Sequence, residues 1–482
     1  MSPYAIHWFR RDLKIAGNTA LQQLYKKYNG RVLCVFCFDK KFLNREDFSV
    51  NRFQFFLKTL QDLQLELRAR GSDLIVMDVG PKDAFSKLLK DLDYLPELIS
   101  WNRDYEPFAI TRDSQMKSFF EKKSISTKTF RDHLLIEPHE LEKDSGGGYQ
   151  VFTPFSRKWL QIFDSKEIKQ RIELQKNGIK LLKEKKPKVI FDKQWVQNFY
   201  KNDDDILQRY IDSNSKKVTV SIPDVGCKAA YQKLILFKKK LERYSDSRDI
   251  PSLEGTSGLS PYLKNGSITI SQIIYELGLT SYTKATTGKE KFFSELIWRE
   301  FYYHILSRYP RVENEAFILK YKDLKWENNP KHFKAWKNGQ TGFPIVDAGM
   351  RELKNTGNMH NRVRMIVASF LTKDLLIDWR WGEQYFMEQL LDGDLAANNG
   401  GWQWAASTGC DPQPYFRIFN PWLQSKRFDK DGIYIKKFIP ELKEIEPKKL
   451  HSPITNDPNY PSPIVDHSVQ REKALKMYKA VQ

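Results

Sequence analysis

The sequence predicts an α/β region at the N-terminus and an all-α region at the C-terminus, joined by a long linker. Three observations carry this reading. Short apolar runs at 4–9 (YAIHWF), 31–38 (RVLCVFCF), 73–79 (DLIVMDV) and 95–101 (LPELISW) alternate with amphipathic stretches such as 51–70. That alternation predicts a doubly wound, Rossmann-like parallel sheet. Residues 140–205 are rich in lysine, with GGG at 146–148 and KEKKPK at 183–188, which predicts a connection draped over the surface and carrying short helices. From about 206 the apolar residues recur at helical spacing, in segments 226–244, 289–308, 342–354, 361–378 and 382–391. The expected division is 1–130, 131–205 and 206–482.

Bulk properties narrow the function. A chain of 482 residues exceeds one ordinary core. Its 40% hydrophobic and 13% aromatic content is that of a folded protein. The formal charge of +19 points to a polyanionic partner, because released counterions drive such binding. Of four cysteines, Cys34 and Cys37 lie inside an apolar run and read as core; no metal site is indicated and a reducing compartment is expected. The start, MSPYAIHWFRRDLK, is neither a signal peptide nor a membrane span. Ligands of a doubly wound sheet bind beyond the carboxyl ends of its strands. The loops there carry Arg10-Arg11-Asp12, Phe38-Asp39 and Asn102-Arg103-Asp104-Tyr105-Glu106, without a GxGxxG or Walker pattern.

Chemistry concentrates in four stretches of the second half. DGDLAANNGGWQWAASTGC (392–410) combines Asp, Asn and Gln with adjacent glycines and two tryptophans. Small residues admit flat rings and the polar ones orient them, while Trp402 and Trp404, two apart, must diverge. The turn Gly255-Thr256-Ser257-Gly258-Leu259-Ser260 offers hydroxyls and free amides suited to phosphate, or serves only as a capping loop. Glu295, Trp298, Arg299 and Tyr302 share one helical face, which suits either base recognition or a domain seam. Arg362 and Arg364 diverge, so that one can meet a buried acid such as Asp392 while the other faces solvent.

TGFPIVDAGMREL (341–353), HNRVRMIVASFLTKDLLIDWR (360–380) and DGDLAANNGGWQWAASTG (392–409) resemble the photolyase/cryptochrome family, with IHWFRRDL and WNRDYEP extending the likeness to the N-terminal region. The resemblance is strongest to class I cyclobutane pyrimidine dimer photolyases and spans nearly the whole chain. It implies an antenna-chromophore domain over 1–130 and a helical FAD-binding catalytic domain over 206–482. In that family FAD, active as FADH−, is bound in a U shape. By motif position Tyr244 and Thr256, Ser257, Gly258, Leu259 and Ser260 hold its phosphates. Phe292, Glu295, Arg299, Asn361, Arg364, Asp392, Gly393, Asp394 and Asn398 surround the rest, with Asn398 by the flavin N5. Trp402, Trp379 and Trp326 match the chain of tryptophans that passes electrons to the photo-excited flavin.

Glu295, Trp298, Asn361, Met365, Asn398 and Trp404 match the residues around the flipped dimer. Arg248, Arg299, Arg362, Arg417 and Arg427 match contacts to the DNA backbone. The resemblance further implies light-driven repair of pyrimidine dimers in ultraviolet-damaged DNA, by a monomer in the cytoplasm acting on nucleoid DNA. Asn102, Glu106 and Lys264 are the antenna candidates: Glu106 suits 5,10-methenyltetrahydrofolate, favoured because it is widespread in the family, while Lys264 suits 8-hydroxy-5-deazaflavin. Asn358 stands where many relatives carry Trp, so a changed packing contact is expected. Two rivals are weighed. A blue-light receptor without repair disagrees with the complete set Glu295, Trp298, Met365, Asn398 and Trp404 and with the absence of a long tail beyond the helical region. A flavin-free nucleic-acid binder explains the charge and little else.

Overall fold

A computed structural model describes residues 2–199, 205–455 and 457–481. Five parallel strands, β1 (Ala5–Phe9), β2 (Val32–Cys37), β3 (Leu74–Met77), β4 (Leu98–Asn102) and β5 (Ser126–Phe130), form one sheet in the order β3-β2-β1-β4-β5. Four helices accompany it: α1 (Thr19–Lys27), α2 (Val50–Ala69), α3 (Pro81–Asp91) and α4 (Pro107–Glu121). The first four strands are buried on both faces, hence their uninterrupted apolar runs. Strand order reverses between β1 and β4, which places the loops Arg10–Leu13 and Asn102–Tyr105 side by side at the crevice where ligands of such sheets sit.

The lysine-rich stretch departs from expectation. It holds two full helices, α5 (Phe152–Phe163) and α6 (Lys166–Leu182), rather than a surface drape. Phe155, Trp159 and Phe163 recur at intervals of four and are all buried, with Trp159 and Phe163 edge-on to Phe293 of the helical region. Trp159 Nε1 donates to Glu300 at 2.6 Å, and the amides of Leu135 and Ile136 donate to the same carboxylate. The exposed lysines Lys166, Lys169, Lys176 and Lys180 belong to α6, while α5 carries only Lys158, so a composition count over the whole stretch masks the apolar stripe of α5. The expected end of the linker at 205 abuts residues 200–204, which lie outside the described residues.

The remaining elements are helical: α7 (Asp205–Ser215), α8 (Gly226–Lys238), α9 (Ser260–Asn265), α10 (Ile270–Leu277), α11 (Gly288–Arg308), α12 (Pro330–Asn338), α13 (Pro344–Thr356), α14 (Asn361–Ser369), α15 (Trp379–Gln389), α16 (Leu395–Ala405), α17 (Pro421–Phe428) and α18 (His467–Lys479), besides the short helices Lys193–Phe199 and Ile433–Phe438 and briefer turns. Local signals set the ends. Thr287 and Glu290 form a reciprocal cap on α11, and Gly357 closes α13 at φ +66. The single helix expected over 361–378 is broken: after Ser369 one π-helical turn, Phe370–Asp374, follows, and Leu376 sits at φ +52. After it α15 begins anew at Trp379, where the side chain of Asp378 accepts from Arg380 N.

The α/β and helical regions meet closely at the β1 loop. Leu13 N donates to Asn265 O at 3.0 Å, and a Cβ on Gly266 (φ +70) would lie 2.2 Å from Arg11 O and 2.7 Å from Asp12 Cα. Gly266→Ala is expected to cost about 1–2 kcal/mol through backbone strain and this collision; a thermal melt of the holoprotein checks it.

Candidate functional site

Two carboxylates from the segment joining α15 to α16 organise the site. Asp392 accepts from Ser260 Oγ at 2.6 Å and from Arg364 Nη2 at 2.9 Å. It therefore ties the hydroxyl-rich turn, α14 and its own loop into one ring. In that turn Gly258 adopts φ +61, and Lys233 of α8 brings its Nζ within 3.8 Å of where a Cβ would stand. This cation beside the turn escaped the sequence reading, since nothing in the pattern links α8 to residue 258. Asn358 Oδ1 accepts from Arg364 Nη2 at 3.3 Å, so the exchanged residue adds a polar partner to the Arg364–Asp392 pair.

Asp394, Asn398 and Trp402 follow at intervals of four from the N-cap of α16 and share one face. Asp394 Oδ2 accepts from Tyr303 Oη and from Arg11 Nη2, both at 2.6 Å, while Oδ1 is buried without a protein partner. Asn398 Nδ2 donates to Glu383 O at 3.0 Å. Trp402 is buried, its Nε1 likewise unpartnered, with Phe386 and Trp336 edge-on at 4.9 and 6.1 Å. Buried polar atoms are nearly always satisfied. Two orphans on one helix face, beside the Asp392 ring, fit a flat heterocycle that brings its own donors and acceptors, as a flavin does. A Cβ on Gly393 would stand 2.5 Å from Arg52 Nη1, so a side chain there would have to displace that guanidinium.

Behind Asn398, burial pushes the Glu383 carboxyl up to about 8, against the pull of its Asn399 hydrogen bond. Tyr244 and Phe292 pack edge-on at 5.5 Å in the core under the turn. On α11 the expected shared face splits. Glu295 accepts from Arg248 Nη1 at 2.6 Å, and Trp298 stacks on Phe152 with centroids 3.7 Å apart and planes 6° from parallel. Phe152 comes from the linker and was not foreseen. Tyr302 lies 5.7 Å from Trp298, and only a glycine at 400 leaves it room, since a Cβ there would come within 2.0 Å of its ring.

Arg299 turns the other way, to His133 Nε2 at 2.6 Å and over the Tyr303 ring. That corrects its expected place among the DNA-facing arginines: its guanidinium is spent inside the seam with the linker. Arg362 is not a free solvent-facing cation either, being paired with Asp249 at 3.0 Å and resting on the Phe428 ring at 4.4 Å. Arg417 and Arg427 are exposed. Asn361 and Met365 sit one turn apart on α14, Nδ2 to Sδ at 3.9 Å, with Trp404 half-buried at the end of α16.

Trp379 is buried and Trp326 half-buried in the core that holds Trp402. Among the described residues these three make no direct ring contact; Trp402 touches Trp336, and Trp326 lies 6.3 Å from Tyr478.

Of the three antenna candidates the structure brings two together. Glu106 and Lys264 line a small open cleft between the two regions, with Arg45, Asp47 and Phe48. Burial and the nearby Arg11 lower the Lys264 ammonium to about 8. Asn102 is elsewhere: its amide donates to Asp12 Oδ2 and Asn18 Oδ1 at 2.6 and 2.8 Å.

Comparison with known proteins agrees with this geometry. Residues 5–175 match the DNA photolyase family model, and residues 292–480 match the FAD binding domain of DNA photolyase. The chain is 38% identical to a deoxyribodipyrimidine photo-lyase of Alkalihalophilus pseudofirmus, over 98% of this chain and 97% of the relative. It is 36% identical to that of Escherichia coli, over 98% of each. A class III photolyase crystal structure from Agrobacterium tumefaciens superposes with TM-score 0.84 at 34% identity, covering 100% of this chain and 98% of that one. An archaeal photolyase structure from Sulfolobus tokodaii, with two FAD molecules, gives 0.80 at 34% identity and 99% coverage of both. Among the described residues no helix is long and apolar enough to cross a membrane. By motif, by sequence along its full length and by fold, the chain belongs to the DNA photolyase family.

Proposed function

We propose that this protein repairs cyclobutane pyrimidine dimers in ultraviolet-damaged DNA, using light and bound FAD. The carrying observation is the pairing of two half-sites on neighbouring helices: the Asp392–Arg364–Ser260 ring with the Asp394/Asn398/Trp402 face, and the Glu295–Trp298 face beside it. When bound in its reduced form, FAD would supply the light-excited electron for opening the cyclobutane ring and would recover it afterwards.

The chain's own residues do the rest. Arg364 and Ser260 hold Asp392 in place, and the turn from Thr256 to Ser260 receives the phosphates. Asp394 and Asn398 present polar atoms to the isoalloxazine edge. Trp298, braced by Phe152, stacks on an everted base, with Glu295, Asn361, Met365 and Trp404 around it; a damaged step costs less to open than an intact one. Arg417 and Arg427 meet the phosphodiester backbone, and Arg248 and Arg362 do so on exchanging their carboxylate partners for phosphate. Trp402, Trp379 and Trp326 relay electrons when the flavin arrives oxidised. Glu106 and Lys264 are the residues that would contact an antenna pigment, methenyltetrahydrofolate or a deazaflavin, and the absorbance of released cofactors identifies it. The protein acts as a monomer, in the cytoplasm and on nucleoid DNA.

Illumination of reduced holoprotein with ultraviolet-irradiated thymine DNA, followed by dimer counting, tests the activity. Dimers are expected to disappear only in the light. Dimers left intact would instead make the protein a light receptor.

A further inference from the structure

We infer that Arg11, from the α/β domain, is a positioning residue for the flavin: it holds Asp394 with one oxygen turned into the FAD pocket, so that the pocket is completed across the domain boundary. This rests on the reading of Asp394 as a flavin-side residue. Arg11 sits at the end of β1 and reaches 383 residues along the chain. Its Nη2 donates to Asp394 Oδ2 and to Tyr303 Oη, both at 2.6 Å. Its Nη1 donates to Glu106 Oε1 at 2.5 Å and lies 3.6 Å from Asp104 Oδ1, while Nε donates to Lys264 O at 3.3 Å. Five partners from four segments leave this guanidinium one orientation, which a flexible lysine cannot reproduce.

The consequence falls on Asp394. Its Oδ2 is saturated by Arg11 and Tyr303, which leaves Oδ1 as the orphaned buried atom. A carboxylate with a single donor could rotate; one clamped from two sides presents a fixed acceptor. The backbone supports the same arrangement. Arg11 O and Asp12 Cα rest on Gly266, which closes the helix that follows the phosphate turn. One loop thus braces both ends of the site. The groups facing the Asp394 carboxylate are Arg11 from that loop, Lys264 from α9, and Arg299 and Tyr303 from α11. Burial favours its neutral form, but Arg11, the strongest opposing influence, with Lys264 and Arg299 holds it well below the usual carboxylate range.

FAD retention by full-length holoprotein, read from the fluorescence of released FAD, tests this in four variants: Arg11→Met, Arg11→Lys, Asp394→Asn and the double Arg11→Met/Asp394→Asn. Asp394→Asn and Arg11→Met should each weaken retention roughly tenfold, with Arg11→Lys intermediate. The double variant should be no weaker than the weaker single, because Arg11 acts through Asp394. Without Arg11 the buried carboxyl rises from that depressed range, so retention by Arg11→Met should fall as the pH is lowered and the acceptor is protonated, a dependence the double variant lacks. Losses that add, a flat pH profile in Arg11→Met, or wild-type retention in Arg11→Met would each overturn the inference while sparing the flavin site. Wild-type retention in Asp394→Asn would remove Asp394 from the flavin site, and the inference with it.

Discussion

Trp402→Phe slows photoreduction of oxidised bound FAD by roughly a hundredfold, equivalent to about 2.7 kcal/mol of barrier, while repair by pre-reduced protein stays near the wild-type rate. An indole gives up an electron far more readily than a phenyl ring, and Trp402 lies on the α16 face with Asp394 and Asn398. The exchange is gentle on the fold. Trp402 packs edge-on against Phe386 and Trp336, contacts that a smaller ring at the same Cβ keeps in part, and its Nε1 has no protein acceptor to lose. The remaining cost is the void where the six-membered ring met Gly382, whose Cβ would otherwise lie 2.1 Å from that ring; large-to-small exchanges of this kind cost about 1–3 kcal/mol of stability. Transient absorption of the oxidised holoprotein, paired with a repair assay on chemically reduced protein, separates the two. Equal loss in both assays would place Trp402 in the flavin-binding wall and not in an electron route.

How much of this was legible in the sequence differs by element, for physical reasons. The doubly wound sheet was readable because its strands are buried on both faces and so stay apolar from end to end, as in VLCVFC of β2. Helical divergence of Arg362 and Arg364 leaves open which of them meets Asp392; the family resemblance singles out Arg364, which is the one paired with it. The helices α5 and α6 were hidden by charge: the lysines of α6 and of KEKKPK at 183–188 dominate the composition of the whole stretch and outweigh Phe155, Trp159 and Phe163. The π-helical turn after Ser369 leaves no mark, since its residues also suit an ordinary helix. Long-range partners are invisible in principle. Neither Arg11 with Asp394 nor Phe152 with Trp298 shares a local pattern, and Arg299 could be assigned to DNA only until His133 was seen beside it.

Trp298→Ala weakens binding of dimer-containing DNA by about 1–3 kcal/mol, the worth of one base stacked on an aromatic ring, or roughly 5- to 150-fold in Kd. The geometry makes Trp298 a platform and not a filler. One face is covered by Phe152 at 3.7 Å and 6°, and Phe301 and Tyr302 fix its edges. The indole is thus held before any DNA arrives, and stacking costs little ordering entropy. Undamaged DNA, which offers no everted base, should bind the variant as it binds the wild type. The salt dependence should also persist, because that slope counts phosphate contacts made by residues such as Arg417 and Arg427. Titrations at two salt concentrations on damaged and intact duplexes distinguish these contributions. Equal weakening on both duplexes would mean that Trp298 shapes the DNA surface in general; unchanged affinity for the damaged one would take it out of the lesion pocket. Phe152→Leu provides the intermediate case: it removes the brace but leaves the indole, so its loss should be smaller than that of Trp298→Ala and confined to damaged DNA.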